Sequence, residues 1–109
     1  MIVREIKINK VKLDIQQLNK AFDSRIRLGI MSILMVNDWV DFGSLKETLE
    51  ITDGNLASHI SALEKHKYIE IRKQFIGKKP NTTYAATKTG KKAFRDHLDA
   101  LEKILKRRH

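Results

Sequence analysis

Thr52-Asp53-Gly54-Asn55-Leu56-Ala57-Ser58-His59-Ile60-Ser61-Ala62-Leu63 gives way to Tyr68-Ile69-Glu70-Ile71-Arg72-Lys73-Gln74-Phe75, and the hydrophobic pattern changes character between them. In the first run Leu56, Ile60 and Leu63 recur at helical spacing, with Thr52 as the cap and Asp53 in the first turn, where a negative charge suits the helix dipole. In the second, Ile69, Ile71, Lys73 and Phe75 alternate with Glu70, Arg72 and Gln74, the pattern of an amphipathic strand. Gly77-Lys78-Lys79-Pro80-Asn81 reads as a turn by composition, and Thr82-Thr83-Tyr84-Ala85-Ala86 as the returning strand. A helix over residues 53–66 followed by a hairpin over residues 68–86 is expected.

The flanking segments extend this plan in both directions. Upstream, Val11, Ile15, Leu18 and Phe22 form an amphipathic stripe, with residues 2–8 ambiguous between strand and helix. Ser24 caps a helix running to about Asn37 that is apolar nearly all round and so belongs at the centre of the fold. Trp39-Val40-Asp41-Phe42-Gly43 suits a brief extended segment, and a short helix follows to Leu49, with Gly43 or Ser44 near its start. Downstream, residues 88–107 read as a long final helix. The expected fold is mainly α with a small antiparallel β-wing, in one domain spanning residues 1–109.

Charge is distributed unevenly over this framework. The net charge is +9, and residues 65–95 carry Lys65, Lys67, Arg72, Lys73, Lys78, Lys79, Lys88, Lys91, Lys92 and Arg95 against Glu70 alone. A merely solubilising surface would mix the signs, whereas this concentration favours a polyanionic partner. Placing Leu56, Ile60 and Leu63 inward leaves Gly54, Asn55, Ser58, Ser61, Ala62 and Lys65 outward. These small or hydrogen-bonding side chains are the kinds that reach base edges in a major groove. Arg72, Lys73, Lys78 and Lys79 on the hairpin gain by displacing counterions from phosphates, and Asn81 and Thr82 supply uncharged phosphate donors.

Other function classes are poorly represented. With 41% hydrophobic and 32% charged residues the composition is that of a folded globular chain, and the absence of cysteine removes disulfides and thiolate chemistry. No stretch is long and apolar enough to span a bilayer, and Met1-Ile2-Val3-Arg4-Glu5 lacks the pattern of a secretory signal, so a cytoplasmic protein without a membrane partner is expected. His59 and His66 lie about 10.5 Å apart along a helix axis, too far for one metal ion. Thr89-Gly90-Lys91-Lys92 lacks the earlier glycine of a phosphate loop, and no nucleophile or paired-carboxylate arrangement stands out. Neither a cofactor nor enzymatic activity is expected, and no residue cluster identifies a small-molecule effector.

Arg25-Ile26-Arg27-Leu28, Phe42-Gly43-Ser44-Leu45-Lys46, the helix from Thr52, and the wing from Phe75 to Tyr84 with Thr87-Lys88-Thr89-Gly90 together resemble small bacterial and archaeal winged-helix transcriptional regulators related to the MarR and ArsR groups. The likeness covers roughly residues 13–105. It implies a winged helix-turn-helix regulator that binds double-stranded DNA as a homodimer, with the helix from Thr52 in the major groove. One departure is Lys67, where such proteins usually carry glycine. A dimer has separate support in the stripe of Phe94, Leu98, Leu101, Ile104 and Leu105, wider than a small body requires, which sets these five residues as interface candidates; the N-terminal stripe of Val11, Ile15, Leu18 and Phe22 is a second one beside it, so N- and C-terminal dimerisation helices are expected. A winged-helix module that binds protein or RNA is the alternative.

Overall fold

The computed structural model describes residues 14–106. Two 3-10 turns, Asp14–Gln17 and Lys20–Phe22, lead into helix α1 (Arg25–Val36), strand β1 (Val40–Asp41), α2 (Phe42–Leu49), α3 (Asp53–Lys65), β2 (Ile69–Ile76), β3 (Lys79–Ala86) and α4 (Lys88–Lys106). The fold is thus mainly helical, with a three-stranded antiparallel sheet in the order β1-β3-β2.

The amphipathic stripe before Ser24 does not form one helix. Val11 and residues 2–8 lie outside the described region; from Asp14 onward the chain makes two 3-10 turns separated at Asn19. The Asn19 side chain accepts the Ala21 N–H at 2.8 Å, capping the second turn, and local bonding of this kind competes with a continuous helix. Asn19 also donates its backbone N–H to His97 Nδ1 at 3.0 Å and its amide Nδ2 to the Tyr68 hydroxyl at 3.0 Å. These ties seat Phe22, only 1% exposed, against Tyr68, Phe94 and His97, with ring centroids 5.2–5.4 Å apart. Such aromatic pairs add about 0.5–1.5 kcal/mol each beyond their burial.

Helix α1 starts where Ser24 Oγ accepts the Arg27 N–H at 3.2 Å, and its Ile30, Met31 and Leu34 are buried at the centre of the core. The short helix begins earlier than the sequence indicated. Asp41 is its cap, accepting the Ser44 N–H at 3.2 Å and the Ser44 hydroxyl at 2.6 Å, and the hydroxyl bond is the largest influence holding this carboxyl below its usual range. The extended segment shrinks accordingly to Val40 and Asp41, which pair with Tyr84 and Thr83 as a third strand.

Helix α3 opens at Thr52, whose hydroxyl accepts the Asn55 N–H at 3.2 Å. It closes in a Schellman arrangement: Tyr68 N–H reaches the Leu63 carbonyl at 3.1 Å and Lys67 N–H the Glu64 carbonyl at 2.8 Å. That closure places Lys67 at φ +64°, left-handed backbone that suits glycine. The departure noted in the sequence therefore changes the residue while the turn keeps its shape.

The hairpin turn is tighter than composition indicated. Ile76 pairs with Lys79, so only Gly77 and Lys78 form the loop, while Lys79, Pro80 and Asn81 belong to β3. Gly77 has φ +66°, and Lys78 is not among the positive-φ residues, as a type II′ turn requires. Pro80 sits one pair beyond the closing pair, where its missing N–H faces away from β2. At the other end of the hairpin, Thr87 N–H donates to the Tyr68 carbonyl at 3.0 Å, and the Thr87 hydroxyl donates to the Lys67 carbonyl at 2.8 Å. A Cβ on Gly90 would stand 2.0 Å from the Tyr68 carbonyl oxygen, so the start of α4 lies directly on the root of the hairpin.

Candidate nucleic-acid interface

Leu56, Ile60 and Leu63 are buried, each contributing about 1.5–3 kcal/mol by leaving water, and this fixes the rotation of α3. As a result Gly54, Asn55, Ser58, Ser61 and Lys65 are exposed and Ala62 is half-buried, which keeps all six at the outer side or its margin. Ala57, absent from the sequence-derived group, is exposed as well. The surface is not covered by neighbouring chain among the described residues.

Two contacts invisible to local patterning adjust its charge. Lys46 of α2 pairs with Asp53 at 2.8 Å, offsetting the acid at the start of α3. On the flank, Arg27 Nε donates to His59 Nδ1 at 3.1 Å and its guanidinium reaches the Ala21 carbonyl at 3.3 Å. Burial first, and the Arg27 charge second, push the His59 pKa down, so this ring is an acceptor held by Arg27. His66 stacks on Tyr68 and His97 lies in the core. Among the described residues no three His, Cys, Asp or Glu side chains gather as a metal site.

On the wing, Arg72, Lys73, Lys78 and Lys79 are exposed, while Asn81 and Thr82 are half-buried. None of the four cations belongs to an ion pair among the described residues. Lys73 has the parity of Ile69 and Ile71, but burial on β2 fades after Ile71, so a lysine there stands in water on either face. Arg72 has a companion that the sequence did not disclose: its guanidinium lies 4.1 Å from the Trp39 ring centroid. Trp39 is in left-handed backbone (φ +53°) just before β1, and no local motif links it to a residue so far along the chain. The wing ends in Phe75 and Ile76, 70% and 61% exposed.

The final helix divides along its length. Gly90, Phe94, His97 and Ala100 are buried, whereas Leu98 and Leu105 are exposed and Leu101 and Ile104 half-buried. Phe94 is therefore corrected from interface candidate to core residue: it is 3% exposed, edge-on to Phe22, with almost no surface left to offer a second chain.

A three-helix body whose third helix presents a small polar face, followed by a basic two-stranded wing, defines a winged helix-turn-helix. A family model described as a winged helix DNA-binding domain matches residues 26–105, and the chain belongs to that family. An uncharacterised protein of Methanocaldococcus jannaschii is 34% identical over 79 residues, covering 72% of this chain and 86% of that protein. Among solved structures, a transcriptional regulator homologue from Pyrococcus horikoshii superposes with a TM-score of 0.73 at 29% identity, covering 79% of this chain and 85% of that one. A MarR-family regulator from Porphyromonas gingivalis has a TM-score of 0.61 at 18% identity, with 94% of each chain covered, a likeness of fold. No helix among the described residues is long and apolar enough to cross a membrane.

Proposed function

We propose that this chain is a transcriptional regulator that binds double-stranded DNA as a homodimer, with α3 in the major groove and the wing on the phosphate backbone. The observation that carries this reading is the outer face of α3: exposed Gly54, Asn55, Ser58, Ser61 and Lys65, with its one leading acid held by Lys46. A face of small polar side chains admits close approach to base edges, whereas a protein-binding surface more often offers aromatics. The wing cations supply attraction by releasing counterions, so affinity comes chiefly from the wing and sequence preference from α3.

Duplex binding measured against salt tests the arrangement. Log affinity falls linearly with log salt, and Lys78→Ala with Lys79→Ala reduces the slope by about two units. An unchanged slope removes those lysines from the phosphate contacts. For the homodimer, Leu98, Leu101, Ile104 and Leu105 are the surface that a second copy covers, and two copies set their recognition helices about 34 Å apart on one side of a duplex. Leu105→Glu is expected to sediment as a monomer; an intact dimer places the interface elsewhere.

A further inference from the structure

Phosphate binding accounts for the lysines of the wing but leaves its end unexplained. Phe75 and Ile76 are 70% and 61% exposed at the last two positions of β2. Being consecutive in a strand, they emerge on opposite sides of the ribbon and straddle its tip. The two-residue turn at Gly77-Lys78 and the Phe75–Pro80 pairing make that tip narrow and stiff. Lys73, Lys78 and Lys79 surround it, and the nearest acid on β2, Glu70, is about 20 Å down the strand.

We infer that the wing tip is an apolar wedge, which enters the minor groove and unstacks a base step with Phe75, while Ile76 on the opposite face packs against the sugars of the groove wall and the lysines hold the phosphates on either side. The inference deepens the DNA-binding reading above and rests on it. Apolar side chains used in this way partly unstack neighbouring bases and bend the duplex. A second copy's tip is a poor occupant, because it would bring two lysine clusters together with no acid between them. An acidic bilayer offers charge complementarity too, but two side chains bury too little to hold a domain there, whereas between base pairs the Phe75 ring stacks on aromatic faces.

The test uses the full chain and a mixed-sequence duplex of 40 base pairs with a dye at each end. Energy transfer between the dyes reports bending, and permanganate reactivity reports unstacked thymines anywhere along the duplex. The native chain is expected to raise both signals. Phe75→Ala combined with Ile76→Ala loses both, weakens binding about tenfold and leaves the salt slope unchanged, since apolar contact alone has been removed. Both residues are exposed, and an unchanged circular dichroism spectrum confirms that the variant is folded.

A native complex that stays straight and permanganate-resistant overturns the wedge and leaves the DNA reading standing, as does a double variant that bends DNA like the native chain. A double variant altered only in sedimentation, or only in binding to phosphatidylserine vesicles, overturns the wedge in favour of a second copy or a bilayer. If the native chain binds no duplex at low salt, the DNA reading itself fails and the wedge fails with it.

Discussion

Helix α3 and the wing are adjacent in sequence and differ in nearly every physical respect. The helix is anchored by three buried side chains, presents a surface with little net charge, and is closed at both ends by satisfied caps. The wing is anchored at Ile69, Tyr84 and Ala85, then projects into solvent with cations on both faces and no ion-pair partner for them among the described residues. A rigid, weakly charged element is suited to discrimination, because misplaced hydrogen bonds cost energy there. A projecting, strongly charged one is suited to attraction, which tolerates small errors in position. Under the proposed function, the contrast would give specificity to one element and affinity to the other.

The largest effect is expected where the two elements are joined. Gly90→Ala drives a Cβ into the Tyr68 carbonyl, which belongs to backbone and cannot swing aside, so it should cost about 3 kcal/mol in urea unfolding. A loss below about 1 kcal/mol would show that the root of the wing yields easily. On α3, Ser58→Ala should remove about 1–3 kcal/mol of preference at one base position without changing the salt slope. If the slope moves and the preference does not, the division of roles is reversed. At the helix exit, Lys67→Gly relieves left-handed strain and should stabilise the chain by about 1 kcal/mol, seen as a higher melting temperature.

The pH dependence is the mildest perturbation. Burial lowers the His97 pKa, and its Nδ1 accepts a backbone N–H that a protonated ring could no longer receive. The folded pKa lies below the ordinary value near 6.5, so the unfolded chain binds protons first as pH falls. The stabilisation is present above about pH 6.5 and is lost on acidification. The urea midpoint should drop between pH 7.5 and 5.5, and His97→Gln should flatten that dependence, with His59 supplying what remains. An equally steep profile in the variant would exonerate His97.

The difference between what periodicity displays and what it hides follows the same physical lines. Leu56, Ile60 and Leu63 and the alternation of β2 are local signals; the structure buries the three helix residues, but on β2 the alternation ends after Ile71, because the ribbon then leaves the body and Phe75, on the core parity, is 70% exposed. Asn19 interrupts the upstream stripe by capping Ala21, and its further bonds to His97 and Tyr68, partners no window of sequence contains, hold that break in place. Composition gives too long a turn because Lys79, Pro80 and Asn81 are turn-like residue types, yet the pairing of Ile76 with Lys79 leaves room for two loop residues. Phe94 and Leu105 lie on one stripe, and spacing alone does not say that the first faces inward and the second outward. The Arg72–Trp39 stack joins residues on different elements and has no signature in either.

The junction of Gly90, Thr87 and Tyr68 has a mechanical consequence. With α4 resting on the hairpin's base and the Thr87 backbone bonded to it, a displacement of the long helix would carry the wing with it, as a crank does. In the proposed homodimer, any rotation of one terminal helix against its mate would swing both hairpins through an arc, so the seam between two copies would set the gauge of DNA they can straddle.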